Sequence, residues 1–225
     1  MPRPGHDSGT ASPMTPEDSR HGTGLRGSSL PDLPHGVILA GGRSRRMGRD
    51  KATLELEGRT LLERSIAALT DAGLDVLVVG RVQVPTGIAC CADDEADRGP
   101  LGGVVTALRR VWERSILVVP CDVPDLDVRA VRWLIGRWRE HPDRGLATRR
   151  DDHVEPLFAI YVTSGLTVME DILNTGDGSV MTALAAVDAR IIPLPSTMRP
   201  AVQDVDTPDA WRQRLGTRDV RAPGP

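Results

Sequence analysis

An apolar stretch, Val37-Ile38-Leu39-Ala40, runs straight into Gly41-Gly42 and then into Arg43-Ser44-Arg45-Arg46-Met47-Gly48-Arg49-Asp50-Lys51. A short apolar run that ends at glycines reads as a buried strand, and the paired glycines let the backbone turn sharply with its N–H groups outward. Lys51 is the only lysine in the chain; apart from histidine, every other basic side chain is arginine. Lysine offers a compact, rotatable point charge where arginine offers a planar fork. A phosphate cradled by main-chain N–H groups and neutralised by one ammonium would use both parts of this segment. An arginine-rich composition could also leave one lysine in a solvated loop, but the strand, the turn and the cationic residues together point to an anion site.

Two common phosphate loops are excluded. A Walker loop needs glycine before its lysine and Ser or Thr after it, whereas Lys51 lies between Asp50 and Ala52. The dinucleotide pattern G-x-G-x-x-G is absent, because Gly41 and Gly42 are adjacent and the next glycine is Gly48. Beyond the loop, apolar strands and amphipathic helices alternate. Thr60-Leu61-Leu62-Glu63 has the form of a capping box opening a helix through Leu69. Asp75 to Val79 reads as a second strand, Leu101 to Trp112 as a helix and Ser115 to Val119 as a third strand. Val128, Val131, Leu134, Ile135 and Trp138 then mark the apolar stripe of another helix. Continuous apolar strands between such helices predict an α/β fold with a mainly parallel sheet covered on both faces. Ligands bind beyond the carboxyl ends of strands in such sheets, so the glycine loop and the end of the third strand should meet at one cleft.

That strand ends in Pro120-Cys121-Asp122-Val123-Pro124-Asp125. A carboxylate at the tip of a buried strand is placed to hold a hard cation, and Mg²⁺ takes one or two carboxylates with phosphate oxygens and water. A turn-forming or capping role is the plainer alternative for Asp122. Asp125 is a weaker metal candidate, and Asp127 reads as the cap of the following helix. Asp93-Asp94-Glu95-Ala96-Asp97-Arg98-Gly99-Pro100-Leu101-Gly102-Gly103 leads into a helix N-terminus, where free N–H groups suit an anion or a base edge. A solvated acidic loop fits that stretch equally well.

The 225 residues are 40% hydrophobic, enough for one sizeable core. A net charge of −3 argues against general nucleic-acid binding. Cys90, Cys91 and Cys121 suggest neither a disulfide framework nor a zinc cage, and a reducing cytoplasm is the simplest setting. Residues 1–35, rich in Gly, Pro, Ser, Thr and His, read as a disordered leader, residues 36–215 as one domain and 216–225 as a flexible tail. No apolar run approaches the ~20 residues of a membrane span.

Leu39-Ala40-Gly41-Gly42-x-Ser44-x-Arg46-Met47-Gly48-x-Asp50-Lys51 resembles the signature of the molybdenum cofactor guanylyltransferases. The resemblance runs from Val37 to about Leu215 and implies a three-layer α/β/α, Rossmann-like nucleotidyltransferase fold. It implies that Leu39, Ala40, Gly41, Gly42, Ser44, Lys51, Asp94 and Asp122 bind nucleotide, that Arg46, Lys51 and Asp122 act in catalysis, and that Asp122, in a P-C-D-x-P segment, binds Mg²⁺. Asp93 is the alternative to Asp94, the spacing to Gly99-Pro100-Leu101 being unusual. A family asparagine at the end of the second strand is replaced by Gly80.

Glu155-Pro156-Leu157-Phe158-Ala159-Ile160-Tyr161 is similar to the family's acceptor-side strand, which makes Glu155, Arg149, Arg150 and His153 candidates to face a pterin; solvated loop charges are the alternative. Ser179-Val180-Met181 begins a short helix. In Asp204-Val205-Asp206-Thr207-Pro208 two aspartates stand where the family has asparagines, while Thr207 and Pro208 suit an N-cap and first helical residue. The implied reaction moves GMP from GTP to the terminal phosphate of molybdopterin, with Mg²⁺ as cofactor. Three alternatives stand beside it: a cytidylyltransferase acting on the same pterin, an enzyme using another acceptor such as a sugar 1-phosphate, and a non-catalytic nucleotide-binding partner of other cofactor-synthesis proteins or apo-molybdoenzymes. Gly41 favours GTP, since the cytidine branch usually reads Leu-Ala-Ala-Gly, whereas the two aspartates lean the other way.

Overall fold

The apolar run Val37-Ile38-Leu39-Ala40 supplies an interior strand of the sheet, paired on both sides. In the computed structural model, which describes residues 33–41, 50–81, 83–95, 97–111, 115–205 and 207–219, this run forms strand β1 (His35–Leu39). After the loop, a 3-10 turn (Lys51–Thr53) leads to a short hairpin of β2 (Glu55–Leu56) and β3 (Arg59–Thr60), then to helix α1 (Leu61–Asp71). The capping box read from the sequence is formed: Thr60 N donates to Glu63 Oε2 at 2.8 Å and Glu63 N donates to Thr60 Oγ1 at 3.1 Å. Next come β4 (Val76–Val79), β5 (Ala89–Cys91), α2 (Gly99–Arg110), β6 (Ser115–Pro120) and α3 (Val128–Trp138). Helix α2 stops short of the expected end because Val111 is extended. The chain closes with β7 (Leu146–Arg150), β8 (His153–Val162), α4 (Leu166–Asn174), α5 (Val180–Ala186), β9 (Arg190–Pro193) and α6 (Pro208–Asp219).

Seven strands form one sheet in the order β5-β4-β1-β6-β8-β7-β9. All run the same way except β8, which is antiparallel to both β6 and β7. Alternation along β1 feeds two cores. Ile38 packs with Leu62, Ile66, Leu134 and Trp138 of α1 and α3, and Val37 with Leu101, Val104, Leu108 and Met169 of α2 and α4. The architecture is thus the three-layer α/β/α sandwich expected from the strand pattern. The leader assigned to residues 1–35 lies almost wholly outside the described residues. Among the described residues no helix is long and apolar enough to cross a membrane.

Candidate active site

The parallel strands β4, β1 and β6 end side by side, and main-chain hydrogen bonds tie their ends together. Ala40 N donates to Val79 O at 2.9 Å, Cys121 N to Leu39 O at 3.3 Å, and Gly80 N to Cys91 O at 2.9 Å. Gly41 rests directly on Gly80. A Cβ at Gly80 would fall 2.5 Å from Gly41 Cα and 2.6 Å from Gly41 N, and its φ of +87° lies in the left-handed region that favours glycine. The position where the family resemblance suggests asparagine therefore has no room here for any side chain.

Across this junction the two chemically distinctive residues meet. Lys51 Nζ lies 2.7 Å from Asp122 Oδ2, with the side chains 15% and 18% exposed. Asp50 begins the turn that carries the lysine, its Oδ1 accepting from Ala52 N at 3.1 Å. Asp122 is steadied from outside the sheet, its carbonyl accepting from Val205 N at 3.0 Å, while Arg64 Nε donates to Pro124 O at 2.9 Å and Asp125 pairs with Arg214. Asp127 caps α3 through Ala130 N at 2.8 Å. Partial burial opposes its charge, but that bond and the Arg129 guanidinium outweigh it and hold the carboxyl below its ordinary value. Burial, with Asp122 and Asp50 nearby, pushes the Cys121 thiol up to about 12, so it stays protonated at neutral pH.

The acidic stretch divides its neighbours. Asp93 lines the cleft, its Oδ1 accepting from Thr106 Oγ1 at 3.1 Å and from Glu95 N at 3.0 Å. Asp94, the residue matched from the sequence, turns away instead and pairs with Arg110 at 2.6 Å. The reason is a contact from α2: Thr106 anchors the loop by donating to Asp93 and accepting from Asp94 N at 3.1 Å, which leaves the next side chain outside. Gly99, Pro100 and Gly103 bring the first turns of α2 to the same cleft, and the Arg98 side chain makes no capping bond there.

The opposite wall comes from β8 and the segment before α6: Glu155, Pro156, Leu157 and Phe158, with Ala201, Val202 and Asp204. Glu155 Oε1 is 2.8 Å from Arg150 Nε. Arg149 turns to Asp151 O at 2.7 Å, and neither it nor exposed His153 is among the lining residues. Ser179 caps α5, accepting from Thr182 N at 3.3 Å, and Thr207 caps α6, accepting from Ala210 N at 3.1 Å. Together the walls enclose about 1150 Å³, room for a nucleotide and part of a second molecule.

Of the residues assigned from the sequence, Leu39, Ala40, Gly41, Lys51 and Asp122 share this cleft. Gly42, Ser44, Arg46 and Asp206 lie outside the described residues. Sequence reasoning passed over Arg81, which lines the cleft and pairs with Asp50; a cation directly after an apolar strand and a glycine was the signal available.

A family model described as MobA-like NTP transferase domain matches residues 36–190. The chain belongs to the MobA-like NTP transferase family. Among other family members, the molybdenum cofactor guanylyltransferase of Pseudomonas fluorescens is 31% identical over 179 residues, covering 77% of this chain and 89% of its own length. That of Syntrophotalea carbinolica is 32% identical over 154 residues, covering 67% and 73%. The crystal structure of molybdopterin-guanine dinucleotide biosynthesis protein A from Archaeoglobus fulgidus superposes with a TM-score of 0.68 at 20% identity, covering 83% of this chain and 99% of that one. The shared MobA-like fold accounts for the mainly parallel sheet with its cleft at the strand ends.

Proposed function

We propose that the protein transfers GMP from GTP to the terminal phosphate of molybdopterin, releasing pyrophosphate. The observation that carries this reading is the Lys51–Asp122 pair, held across the ends of neighbouring strands in a cleft that also presents Asp93 and the first turns of α2. The guanylyltransferase names of the relatives support the choice of substrates.

In this mechanism an oxygen of the pterin phosphate attacks the α-phosphorus in line, and the bond from that phosphorus to the bridging oxygen of pyrophosphate breaks. A phosphate dianion is already nucleophilic, so no general base is required. Lys51 carries its ammonium to the phosphates and stabilises the departing pyrophosphate, while the strand-end backbone fixes the direction of approach. Asp93, whose Oδ2 lies near Gly103 in the cleft wall, offers an acceptor-only oxygen suited to the N1–H and amino donors of guanine.

The donor set fits a cation that arrives with its nucleotide. Among the described residues no three His, Cys, Asp or Glu side chains are grouped to hold a metal, whereas a single strand-end carboxylate beside phosphates suits Mg²⁺. Asp122 would hold Mg²⁺, which would supply neutralisation of charge on the leaving group.

The test is a transfer assay with Mg²⁺, molybdopterin cofactor and each ribonucleoside triphosphate in turn, the product identified by mass. Guanine dinucleotide formed selectively from GTP is the expected result. A cytidine product would reassign the base, and no product with any triphosphate would overturn the reaction.

A further inference from the structure

Arg81 sits one residue beyond the Gly41–Gly80 contact, just past the end of β4, where Gly80 N donates to Cys91 O at 2.9 Å, and it lines the cleft. Its Nη1 pairs with Asp50 Oδ2, the arginine side chain being 18% exposed. Asp50, its side chain 46% exposed, makes further bonds within the turn: Oδ1 accepts from Ala52 N at 3.1 Å, and its carbonyl accepts from Thr53 N at 3.2 Å and from Thr53 Oγ1 at 2.8 Å. The residue that receives the guanidinium is the one that winds the turn presenting Lys51. A continuous run of contacts, Arg81 to Asp50 to the Lys51 turn to Asp122, thus spans from the end of β4 to the end of β6 across β1.

We infer that Arg81 is a positioning residue: by clamping Asp50 it fixes the turn from which Lys51 reaches Asp122 and the substrate phosphates. The inference deepens the proposed function and rests on it for its kinetic readout. A lysine side chain has four rotatable carbons, so the accuracy of its ammonium depends on how firmly its backbone is held. After Lys51 the turn is fixed by Ala52, buried in the core, and by Leu61 N donating to Leu54 O at 2.9 Å; at its start the fixed point is Asp50. Asp50 in turn takes a fixed point from Arg81, anchored to the central sheet. Arginine suits this because its planar fork holds direction as well as charge.

The test uses the full chain and two readouts. In steady-state transfer, Arg81→Ala and Asp50→Asn should each lower kcat by about 10–100-fold, the scale of a misplaced catalytic group, with KM for GTP changed by less than about threefold. The double variant should lose little more than either single, because both remove one clamp. Arg81→Lys should recover part of the loss. The second readout needs no substrate. With one lysine in the chain, acetylation of Nζ followed by peptide mass reports on Lys51 directly, and its rate should rise several-fold in both single variants.

A rise in KM for GTP at unchanged kcat would overturn the inference by making Arg81 a direct nucleotide contact. So would additive losses in the double variant, or a Lys51 acetylation rate that neither variant moves. A wild-type protein that transfers no GMP, yet shows the predicted change in acetylation, would instead remove the reaction and leave the positioning role in place.

Discussion

The two walls of the cleft are built in different ways. Around the ends of β1, β4 and β6 a main-chain floor of strand-end hydrogen bonds, the Gly41–Gly80 contact and the first turns of α2 carries the charged side chains of Lys51, Asp122 and Arg81. On β8 the surface is side chain, with Glu155 held by Arg150 on an antiparallel strand whose register against β7 shifts between Ala147 and Thr148. Backbone shape cannot be altered one residue at a time without moving strands, whereas a side-chain wall can. The first wall thus suits a group common to all triphosphates, and the second suits whatever distinguishes one acceptor from another.

The sharpest way to break this comparison is to remove a charge from the first wall. Lys51→Ala or Asp122→Ala should reduce single-turnover transfer by about 10³-fold, because each carries charge stabilisation at the phosphates. A loss of less than tenfold would mean that the main-chain wall is not where the chemistry occurs. Next comes Gly80→Ala. With a positive φ and a backbone atom 2.5 Å from the new Cβ, it should cost about 2–4 kcal/mol in denaturant unfolding. By contrast, Glu155→Gln on the side-chain wall should leave stability within about 1 kcal/mol and act on KM for the acceptor.

The neighbours Asp93 and Asp94 refine the comparison further. Asp93→Asn should raise KM for GTP about tenfold through a lost acceptor, and Asp94→Asn should change it by less than about twofold. The smallest effect lies away from both walls. Thr60→Ala should cost about 1 kcal/mol by uncapping α1. The Thr60 backbone N–H, then its hydroxyl, hold the Glu63 carboxyl below its ordinary value of 4.5. That contribution is complete above pH 4.5 and fades as pH falls through the lower folded value, so acid titration should narrow the gap between wild type and Thr60→Ala only by the hydroxyl's share, the backbone N–H being present in both.

What could be read from the sequence follows the same division. Periodicity exposed β1, β4, β6, α1 and α3 because buried strands and amphipathic stripes are local signals, and the Thr60–Glu63 cap was legible for the same reason. Lys51 and Asp122 stood out through composition and strand-end position. The weakly patterned edge strands β5 and β9 gave no such signal, since Ala89-Cys90-Cys91 and Arg190-Ile191-Ile192-Pro193 are short and only half covered. The direction of β8 depends on partners far away in sequence. Which of Asp93 and Asp94 faces inward is decided by Thr106, more than ten residues further on, and the clamp on Asp50 comes from Arg81, 31 residues away.

Lys51 and Asp122 are 71 residues apart, and their contact requires β6 to have docked against β1. During synthesis the lysine therefore emerges long before its partner exists, and loop closure of that length is among the later events of folding. A chain interrupted before Asp122 carries the cation without the carboxylate, so the pair itself forms only once β6 has joined β1.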